Sequence, residues 1–420
     1  MFVLRKLFQL SAVAAFIFLV SFLRKLETHE ELQGQPRVGR PRDVSVGNFS
    51  WSQSGKKISN SKYDDIFNEE ADIRKAQLNS GRSNPLGATH TRVMVVPRMK
   101  DENISWIADE LPDLDTVIYV ANDPSAPLHP PKNKGHEVMI YLTYIIDHYD
   151  DLPDIVIFMH AHRWTHHNNH LLGHDAVQMI RRLSSDYVTR KGYVNMRCEW
   201  YPGCPEWLHP KNAQESLAKQ EEQVLSRSWM ELFPTHPIPK ALGQACCAQF
   251  ALSRERILSV SLSQFIFYRD WIMRTPLSDY VSGRIWEYTW QFLFTGQSIV
   301  CPAEHVCYCD GFGVCFGGDT EYRDFERLRQ TKEGYERVLR ESRTRRAAGL
   351  QMGEDGQHGN NNASVIKGDN DFASLNHLEK QIDALEEEIS DRRKAALERG
   401  NNPENRAREC GRYWEGELRS

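Results

Sequence analysis

Short apolar runs alternate with helical periodicities along the middle of the chain, and this alternation predicts an α/β fold. Residues 92–96, 116–120 and 154–159 are rich in β-branched residues, which is typical of buried strands. Residues 135–149 instead carry apolar side chains three and four positions apart, like the buried face of a helix. Strands that alternate with helices favour a mainly parallel sheet with helices on both faces.

The same patterns predict the other elements of this domain, which we place at residues 91–317. We expect further strands at 192–196 and 247–252, and helices at 104–111, 175–184, 253–259 and 284–294. After Gly317 apolar and aromatic residues become scarce and charged residues dominate, so we end the domain there.

An almost unbroken apolar segment at residues 7–23 predicts a transmembrane helix. At the helical rise it spans roughly 25 Å, which suits a thin endomembrane. A cleaved signal peptide is the alternative, but Arg24-Lys25 stands where an A-x-A-like cleavage site would follow. We therefore expect a retained signal anchor after a short tail at residues 1–6, with the rest of the protein in the lumen.

The two segments that flank the domain are polar. Residues 24–90 are rich in Gly, Ser, Asn, Arg and Lys, which predicts a flexible stem. Residues 318–420 are charged, and we expect a partly disordered tail with a short coiled-coil-like helix at 373–398. Its apolar residues recur at heptad spacing between 375 and 389, which favours either weak self-association or an amphipathic helix resting on the domain.

Composition narrows the partners and the compartment. The net charge of −5 and the lack of a large basic patch argue against nucleic acid as a partner. Nine cysteines, most of them in groups, favour disulfides in the oxidising lumen of the Golgi or the endoplasmic reticulum. Glycosylation triplets at Asn48, Asn103 and Asn362 agree with that placement. A zinc site in the last cysteine cluster is the alternative, although the usual C-x2-C spacing is missing there.

A cluster of histidines follows the predicted strand 154–159 and marks the candidate site. Ligands of open α/β sheets bind beyond the carboxyl ends of the strands. His160 and His162 are alternate residues at such an end, so both imidazoles could reach one divalent ion. The alternative is that these histidines make structural hydrogen bonds near the edge of the sheet.

Several uncommon residue combinations, in the same order, give the chain a resemblance to a known family. They include Asn133-Lys134-Gly135-His136-Glu137, Phe158-Met159-His160-Ala161-His162 and Cys307-Tyr308-Cys309, and the resemblance covers residues 92–316. The chain resembles the mainly fungal domain-of-unknown-function family 3431, which implies no established activity. That family has an aromatic residue directly before a His-Asn pair. Here Trp164 is separated from His167-Asn168, so which histidine takes that position stays open.

The order of elements also resembles, more loosely, the nucleotide-sugar transferases of the single Rossmann-like (GT-A) fold. In those enzymes a buried strand ends in two carboxylates that hold a divalent metal on the sugar-nucleotide diphosphate. The resemblance implies that His160 and His162 hold such a metal here, and imidazole favours Zn²⁺, Fe²⁺ or Mn²⁺ over Mg²⁺. The metal would neutralise the departing diphosphate as a Lewis acid.

This resemblance also suggests catalytic roles. Glu287 is the candidate general base for an acceptor hydroxyl, although an ion pair with Arg284 on the same helical face is the alternative. His167 is a second catalytic candidate. Gln249 lies in the predicted strand 247–252, which occupies the place where such enzymes shape the acceptor pocket.

The remaining candidates are mostly polar residues at predicted strand and helix ends, where they would bind substrate: Asn122, Asp123, Lys132, Lys134, Gly135, Arg163, Trp164 and Arg284. Asn122 and Asp123 follow a predicted strand and could bind ribose or a diphosphate-linked metal; the alternative is that they only form a turn. The two lysines and the glycine open a helix, whose N-terminus favours an anion such as phosphate, although a solvated loop is the alternative.

We therefore expect a membrane-anchored, lumenal, glycosyltransferase-like enzyme. It would move a sugar from a nucleotide-sugar to a glycan or glycoconjugate, with Mn²⁺ or Zn²⁺ as its metal. The first alternative is a metal-dependent hydrolase or oxygenase that uses His160, His162, His166, His167 and Asp175. The second is a non-catalytic carbohydrate-binding protein.

Overall fold

The computed structural model of the protein describes residues 90–211, 219–354 and 368–413. The predicted tail 1–6 and anchor 7–23 lie outside these residues, as does the predicted stem 24–90 except for its last position. Among the described helices, none combines the length and the apolar character needed to cross a membrane.

A five-stranded sheet forms the centre of the protein. The strands are β1 (Arg92–Arg98), β2 (Asp115–Val120), β3 (Ile155–Phe158), β4 (Tyr193–Asn195) and β6 (Phe250–Ser253), in the order β2-β1-β3-β6-β4. β1 pairs parallel with β2 and β3, whereas β6 runs antiparallel to both β3 and β4. The predicted mainly parallel sheet is therefore confirmed, with β6 as its exception. β5 (Gly243–Gln244) and β7 (Ile299–Val300) form a separate parallel pair.

Side chains that alternate along the strands enter two different apolar cores. Val93 and Val95 of β1 pack into one core, while Met94 and Val96 pack into the other. All four residues of β3 are buried, as expected for a central strand covered on both faces. The sheet thus lies between two layers, which explains the continuous apolar runs in its strands.

The helices follow the predicted alternation. Those of the α/β part are α1 (Ser105–Glu110), α2 (Glu137–Asp147), α3 (Ala176–Arg182), α4 (Ser185–Lys191), α5 (Glu222–Leu232), α6 (Arg254–Leu258), α7 (Leu262–Arg274), α8 (Asp279–Glu287), α9 (Trp290–Thr295) and α10 (Glu304–Val306). The predicted helix 284–294 is in fact the end of α8 followed by α9. Thr289 leaves helical geometry, and Gln291 donates from Nε2 to the freed Tyr288 carbonyl at 2.8 Å.

Long helices follow the sheet in the C-terminal part: α11 (Asp319–Glu354), α12 (Gly368–Gly400) and α13 (Pro403–Glu409). α11 and α12 pack against each other, and Arg343 pairs with Glu379 across them at 2.6 Å. Tyr322 and Phe325 of α11 also join one of the two apolar cores beneath the sheet. The helix predicted at 373–398 is present within α12, and self-association through residues 375–389 stays a prediction.

The described cysteines form four disulfides, as the sequence predicts, and Cys410 is free. Their pairs are Cys198–Cys307, Cys204–Cys301, Cys246–Cys247 and Cys309–Cys315. The first two join the segment after β4 to the segment after β7, so they fix the loops at one side of the sheet.

Candidate functional site

The candidate site lies where β3 ends and β6 begins. Because β6 is antiparallel to β3, Phe250 at its start pairs with Phe158 at the end of β3. The segment that precedes β6 therefore meets the histidine segment that follows β3. α2 covers the same place, since the Tyr141 ring lies 4.6 Å from the Phe158 ring and 5.6 Å from the Phe250 ring, centroid to centroid.

Two histidines form a pair directly after β3. The Nδ1 atoms of His160 and His167 lie 3.1 Å apart, so one of them carries the proton that the other accepts. Burial, with smaller contributions from neighbouring histidines and Arg197, lowers the pKa of His160 to about 3 and the pKa of His167 to about 4. Both imidazoles are therefore neutral at pH 7. The buried Nε2 of His160 finds no hydrogen-bond partner in the described parts of the chain.

Gln249 holds this histidine segment in place. Its Oε1 accepts the backbone N–H of His160 at 3.1 Å, and its Nε2 donates to Oδ1 of Asn168 at 3.0 Å. Asn168 in turn donates to the carbonyls of Arg163 and His174. Gln249 is 1% exposed, so the structure gives it a positioning contact with the segment after β3.

His160 and His162 have different neighbours. His162 is exposed, and its Nε2 lies 3.4 Å from Glu102 Oε1. In the described chain, two groups of three metal-ligating side chains have their ligand atoms within 4.8 Å: Cys246, Cys247 and Glu287, and Cys309, Cys315 and Glu409. Both cysteine pairs are disulfide-bonded and lack the thiolates that bind metal. Metal binding by His160 and His162 stays a prediction.

Two carboxyl groups face the site from different helices. Glu287, the last residue of α8, accepts the backbone N–H of Cys247 through Oε1 at 2.7 Å. Burial raises its pKa, although the Cys247 N–H and Arg284 oppose the shift. Burial, together with the smaller effect of the Glu287 and Asp279 charges, also raises the pKa of Glu137, in the first turn of α2, to about 8. Both residues keep part of their surface accessible.

The N-terminus of α2 already holds a carboxylate. Oδ1 of Asp279 accepts the backbone N–H groups of Gly135 and His136, the second at 3.2 Å. Gly135 has a φ of +75°, and a Cβ there would lie 3.0 Å from Ile272, so both backbone and space require glycine. Lys134 donates to the Thr275 carbonyl. A substrate phosphate at this position would have to displace the Asp279 carboxylate.

Asn122 and Asp123 form a turn after β2. Asn122 Oδ1 accepts the backbone N–H of Lys100 at 2.8 Å, and Asp123 pairs with the Lys100 ammonium at 2.8 Å. Hydrogen bonds from Lys100 and Ser125 hold the pKa of Asp123 below its usual range. These contacts match the turn alternative, and they leave the carboxylate ionised. Lys132, another candidate substrate residue, is exposed.

Arg163 and Trp164 line a cavity of about 430 Å³ beside His162. The Arg163 guanidinium contacts Asp175 at 3.1 Å and Glu110 at 3.1 Å, and it lies 4.6 Å from the Trp164 ring centroid. Trp164 is 61% exposed. An exposed indole supported by a paired guanidinium offers a flat apolar surface next to the histidines.

Arg284 is held by the buried carboxylate of Glu221, directly before α5. Its Nε and Nη2 donate to the two oxygens of Glu221 at 2.8 Å and 3.0 Å, and Glu221 has no exposed surface. This bidentate pair raises the pKa of Arg284 against the effect of burial. Arg284 therefore anchors α8, which carries Glu287 three residues later.

Sequence reasoning missed Glu137 as a member of the site. Its signal was present, because Glu137, Tyr141 and Ile145 recur every four residues on the buried face of α2. A carboxyl group on an apolar helical face is costly to bury, because burial disfavours its charged form. Such a position favours a role at a functional site over a role that only offsets the helix dipole. The contacts of the Cys246–Cys247 disulfide could not be predicted, since they depend on the tertiary fold.

The fold and site define an α/β protein with a mainly parallel sheet, with neutral histidines and partly buried carboxyl groups at one end of its strands. The chain belongs to the family described as "Protein of unknown function (DUF3431)", whose model matches residues 94–310. No curated protein and no solved structure matches the chain significantly.

Proposed function

We propose that the protein is a glycosyltransferase-like enzyme that moves a sugar from a nucleotide-sugar to a hydroxyl group of a glycan or glycoconjugate. The observation that carries the proposal is Glu287, a partly accessible carboxyl group held at the segment before β6, whose charge also acts on Glu137. Its Oε1 is fixed by the Cys247 N–H, and Oε2 makes no hydrogen bond with a described residue. A fixed carboxyl group with one free oxygen suits a general base.

The neighbouring carboxyl group gives the site an acid and a base together. Glu137, with a pKa of about 8, is largely protonated at neutral pH and can donate a hydrogen bond. Glu287 can ionise beside it without facing a second negative charge. Environments that separate the pKa values of two carboxyl groups are a known means of assigning such roles. In the proposed reaction Glu287 takes the acceptor proton and Glu137 hydrogen-bonds the donor sugar or its leaving group.

The charge of a diphosphate leaving group also has to be balanced. Arg163, Arg284 and Lys134 are engaged by protein groups, and Asp279 occupies the N-terminus of α2. A divalent ion, Mn²⁺ or Zn²⁺, is therefore part of the proposal, with His160 Nε2 as its candidate ligand. The His167 contact fixes the other ring nitrogen of His160, as metal-bound histidines commonly require.

We further propose that residues 7–23 anchor the protein in an endomembrane of the Golgi or the endoplasmic reticulum, with the domain in the lumen. The four disulfides support this placement, because such bonds persist in oxidising compartments. Carbonate extraction and protease protection of tagged protein in microsomes test it. Release by carbonate, or digestion of the domain in intact vesicles, would contradict the placement.

The enzymatic proposal is tested with the full-length protein in mild detergent. Release of nucleoside diphosphate is measured from a panel of nucleotide-sugars with Mn²⁺ or Zn²⁺, and binding is followed by thermal shift. Glu287→Gln should lower turnover about 10²- to 10⁴-fold while nucleotide binding persists. Glu255→Gln, at an exposed position of α6, is the matched control. Equal turnover in wild type and Glu287→Gln would refute the assignment of the base.

A metal-dependent hydrolase or oxygenase is the second candidate, favoured by the unpartnered Nε2 of His160. It predicts stabilisation by Zn²⁺ or Fe²⁺ alone, without any response to nucleotide-sugars. His160→Ala should abolish that stabilisation. His162→Ala, at an exposed position, tests separately whether the second histidine of the predicted pair also binds the metal. Equal metal content in His160→Ala and wild type would exclude His160 as a ligand.

A further inference from the structure

We infer that the disulfide between the adjacent residues Cys246 and Cys247 is a positioning element for Glu287. The bond joins the side chains on either side of one peptide unit, and that unit supplies the N–H that Glu287 accepts. This inference rests on the proposed function, in which Glu287 is the base. It adds two residues that act through Glu287 without touching the substrate.

The backbone at this point needs an external constraint. Cys247 has a φ of +92° and the following Ala248 a φ of +46°. Both lie in the left-handed region that side chains other than glycine rarely adopt, so an unconstrained chain would relax towards negative φ. Such a change would rotate the Cys247 N–H away from Oε1 of Glu287, now 2.7 Å distant.

Contacts at Ala245 and Cys246 fix the start of the segment, and Arg197 contacts the disulfide itself. The Cys246 N–H donates to the Pro202 carbonyl at 3.1 Å, and the preceding Ala245 carbonyl accepts Nδ2 of Asn195 at 2.6 Å. Arg197 Nη1 lies 3.4 Å from Cys246 Sγ and 3.8 Å from Cys247 Sγ. The disulfide is therefore held in a defined place in the structure.

The same segment also reaches the histidines. Gln249, two residues after Cys247, holds the N–H of His160 and the side chain of Asn168. The sequence Cys246-Cys247-Ala248-Gln249 thus contacts Glu287 on one side and the segment after β3 on the other. A single crosslink keeps the two halves of the proposed site in register.

The consequence for the chemistry is a change in proton affinity. Burial raises the pKa of Glu287 and the Glu221 carboxylate adds to the rise, whereas the Cys247 N–H and the Arg284 guanidinium oppose it by stabilising the carboxylate. Glu137 of α2 also interacts with the Glu287 charge. Without that hydrogen bond the pKa of Glu287 rises further, so the base becomes active only at higher pH. A role limited to holding the fold together would leave the pH profile unchanged.

The first experiment compares pH profiles of nucleotide-sugar turnover for the full-length protein. Cys246→Ser/Cys247→Ser should move the acidic limb of the profile to higher pH by about one unit, the effect of losing one hydrogen bond to a charged group. Cys309→Ser/Cys315→Ser, which removes a disulfide that does not contact Glu287, should leave the limb in place. An unmoved limb in the first variant overturns the inference.

The second experiment needs no activity, so it separates failure of this inference from failure of the proposed function. Melting temperatures are measured for wild type, Glu287→Gln, Cys246→Ser/Cys247→Ser and the combined variant. If the disulfide acts through Glu287, the two changes are non-additive, and additive shifts overturn the inference. Absence of turnover with every nucleotide-sugar would remove the enzymatic proposal while this test still applies.

Reversible reduction of the disulfide provides the same test if the Cys246→Ser/Cys247→Ser variant does not fold. A dithiol reductant transfers two electrons and two protons to the Cys246–Cys247 bond, giving two thiols, and is itself oxidised to a cyclic disulfide. Reduction should lower the melting temperature more in wild type than in Glu287→Gln, and reoxidation should restore it. Equal shifts in both proteins, with mass spectrometry showing the bond opened, overturn the inference.

Discussion

His170, in the segment between β3 and α3, makes a charged contact with α11, and its removal gives the sharpest stability prediction. Its backbone N–H donates to Glu199 at 2.8 Å, its ring contacts the same carboxylate through Nδ1, and Nε2 lies 3.2 Å from Glu326 of α11. Tyr308 also donates to Glu199, and Arg329 pairs with Glu326. The cluster forms one wall of a cavity of about 890 Å³.

The magnitude follows from the carboxylate shifts. Burial would raise the pKa of Glu199, but its contacts with His170 and Tyr308 outweigh this and lower the pKa from 4.5 to about 2. That difference corresponds to roughly 3 kcal/mol. Tyr308 supplies part of it, so His170→Gln should lower the free energy of unfolding by about 2 kcal/mol. Asp151→Asn, which weakens the contact between an exposed carboxylate and His148, should cost less than about 0.5 kcal/mol.

The pH dependence has a defined sign. Burial lowers the pKa of His170, but its hydrogen bonds to Glu199 and Glu326 raise it above the usual 6.5 overall, so its contribution is complete below that pH. This contribution disappears as the pH rises through the folded pKa. The pKa values of Glu199 and Glu326 are lowered, so their contribution is present above pH 4.5 and disappears as the pH falls. The cluster is therefore most stabilising between pH 4.5 and 6.5.

Urea unfolding at about pH 5.5 and about pH 9 checks this, together with hydrogen exchange of the α11 amides, which reports the docking of that helix. Wild type should lose stability between the two pH values, and His170→Gln should lose less. If His170→Gln costs less than about 0.5 kcal/mol at pH 5.5, or keeps the full pH dependence of wild type, the reasoning about this cluster is wrong.

Three other stability predictions can be measured by urea unfolding. Glu221→Gln should cost about 3 kcal/mol, since it removes the bidentate partner of the largely buried Arg284, whereas Glu341→Gln at the surface should cost under about 0.5 kcal/mol. Burial raises the pKa of Glu137 from 4.5 to about 8, so wild type loses stability as the pH rises through that range. Glu137→Gln should remove this part of the pH dependence of stability. A variant with the same pH dependence as wild type would contradict the prediction. Phe250→Ala should lower the free energy of unfolding by about 3–5 kcal/mol through lost packing. A loss below about 1 kcal/mol would show that neighbouring side chains move to fill the cavity.

Elements that depend on local pattern could be predicted from the sequence. β1, β2 and β3 lie within two residues of their predicted bounds, because buried parallel strands need continuous apolar runs. The helix predicted at residues 135–149 includes α2, which could be predicted because its apolar residues recur at helical spacing. The direction of β6 could not be predicted, since pairing partners across about 90 residues depend on the whole fold rather than on local sequence.

The candidate site was predicted in position better than in detail. The sequence placed His160 at the end of a buried strand, where the structure also has it. It could not show that His167 would be its neighbour, because the intervening segment is shaped by Asn168 and Gln249. Lys134 and Gly135 lie at the N-terminus of α2 as expected, but the carboxylate that fills this position comes from Asp279, far along the chain.

The Cys198–Cys307 and Cys204–Cys301 bonds determine what a protease can separate. Both bonds span the stretch between Pro205 and Val300. A single cut anywhere in that stretch would therefore give two fragments that stay covalently joined. Such a nicked protein would migrate as one species on a denaturing gel without reductant and as two species with it.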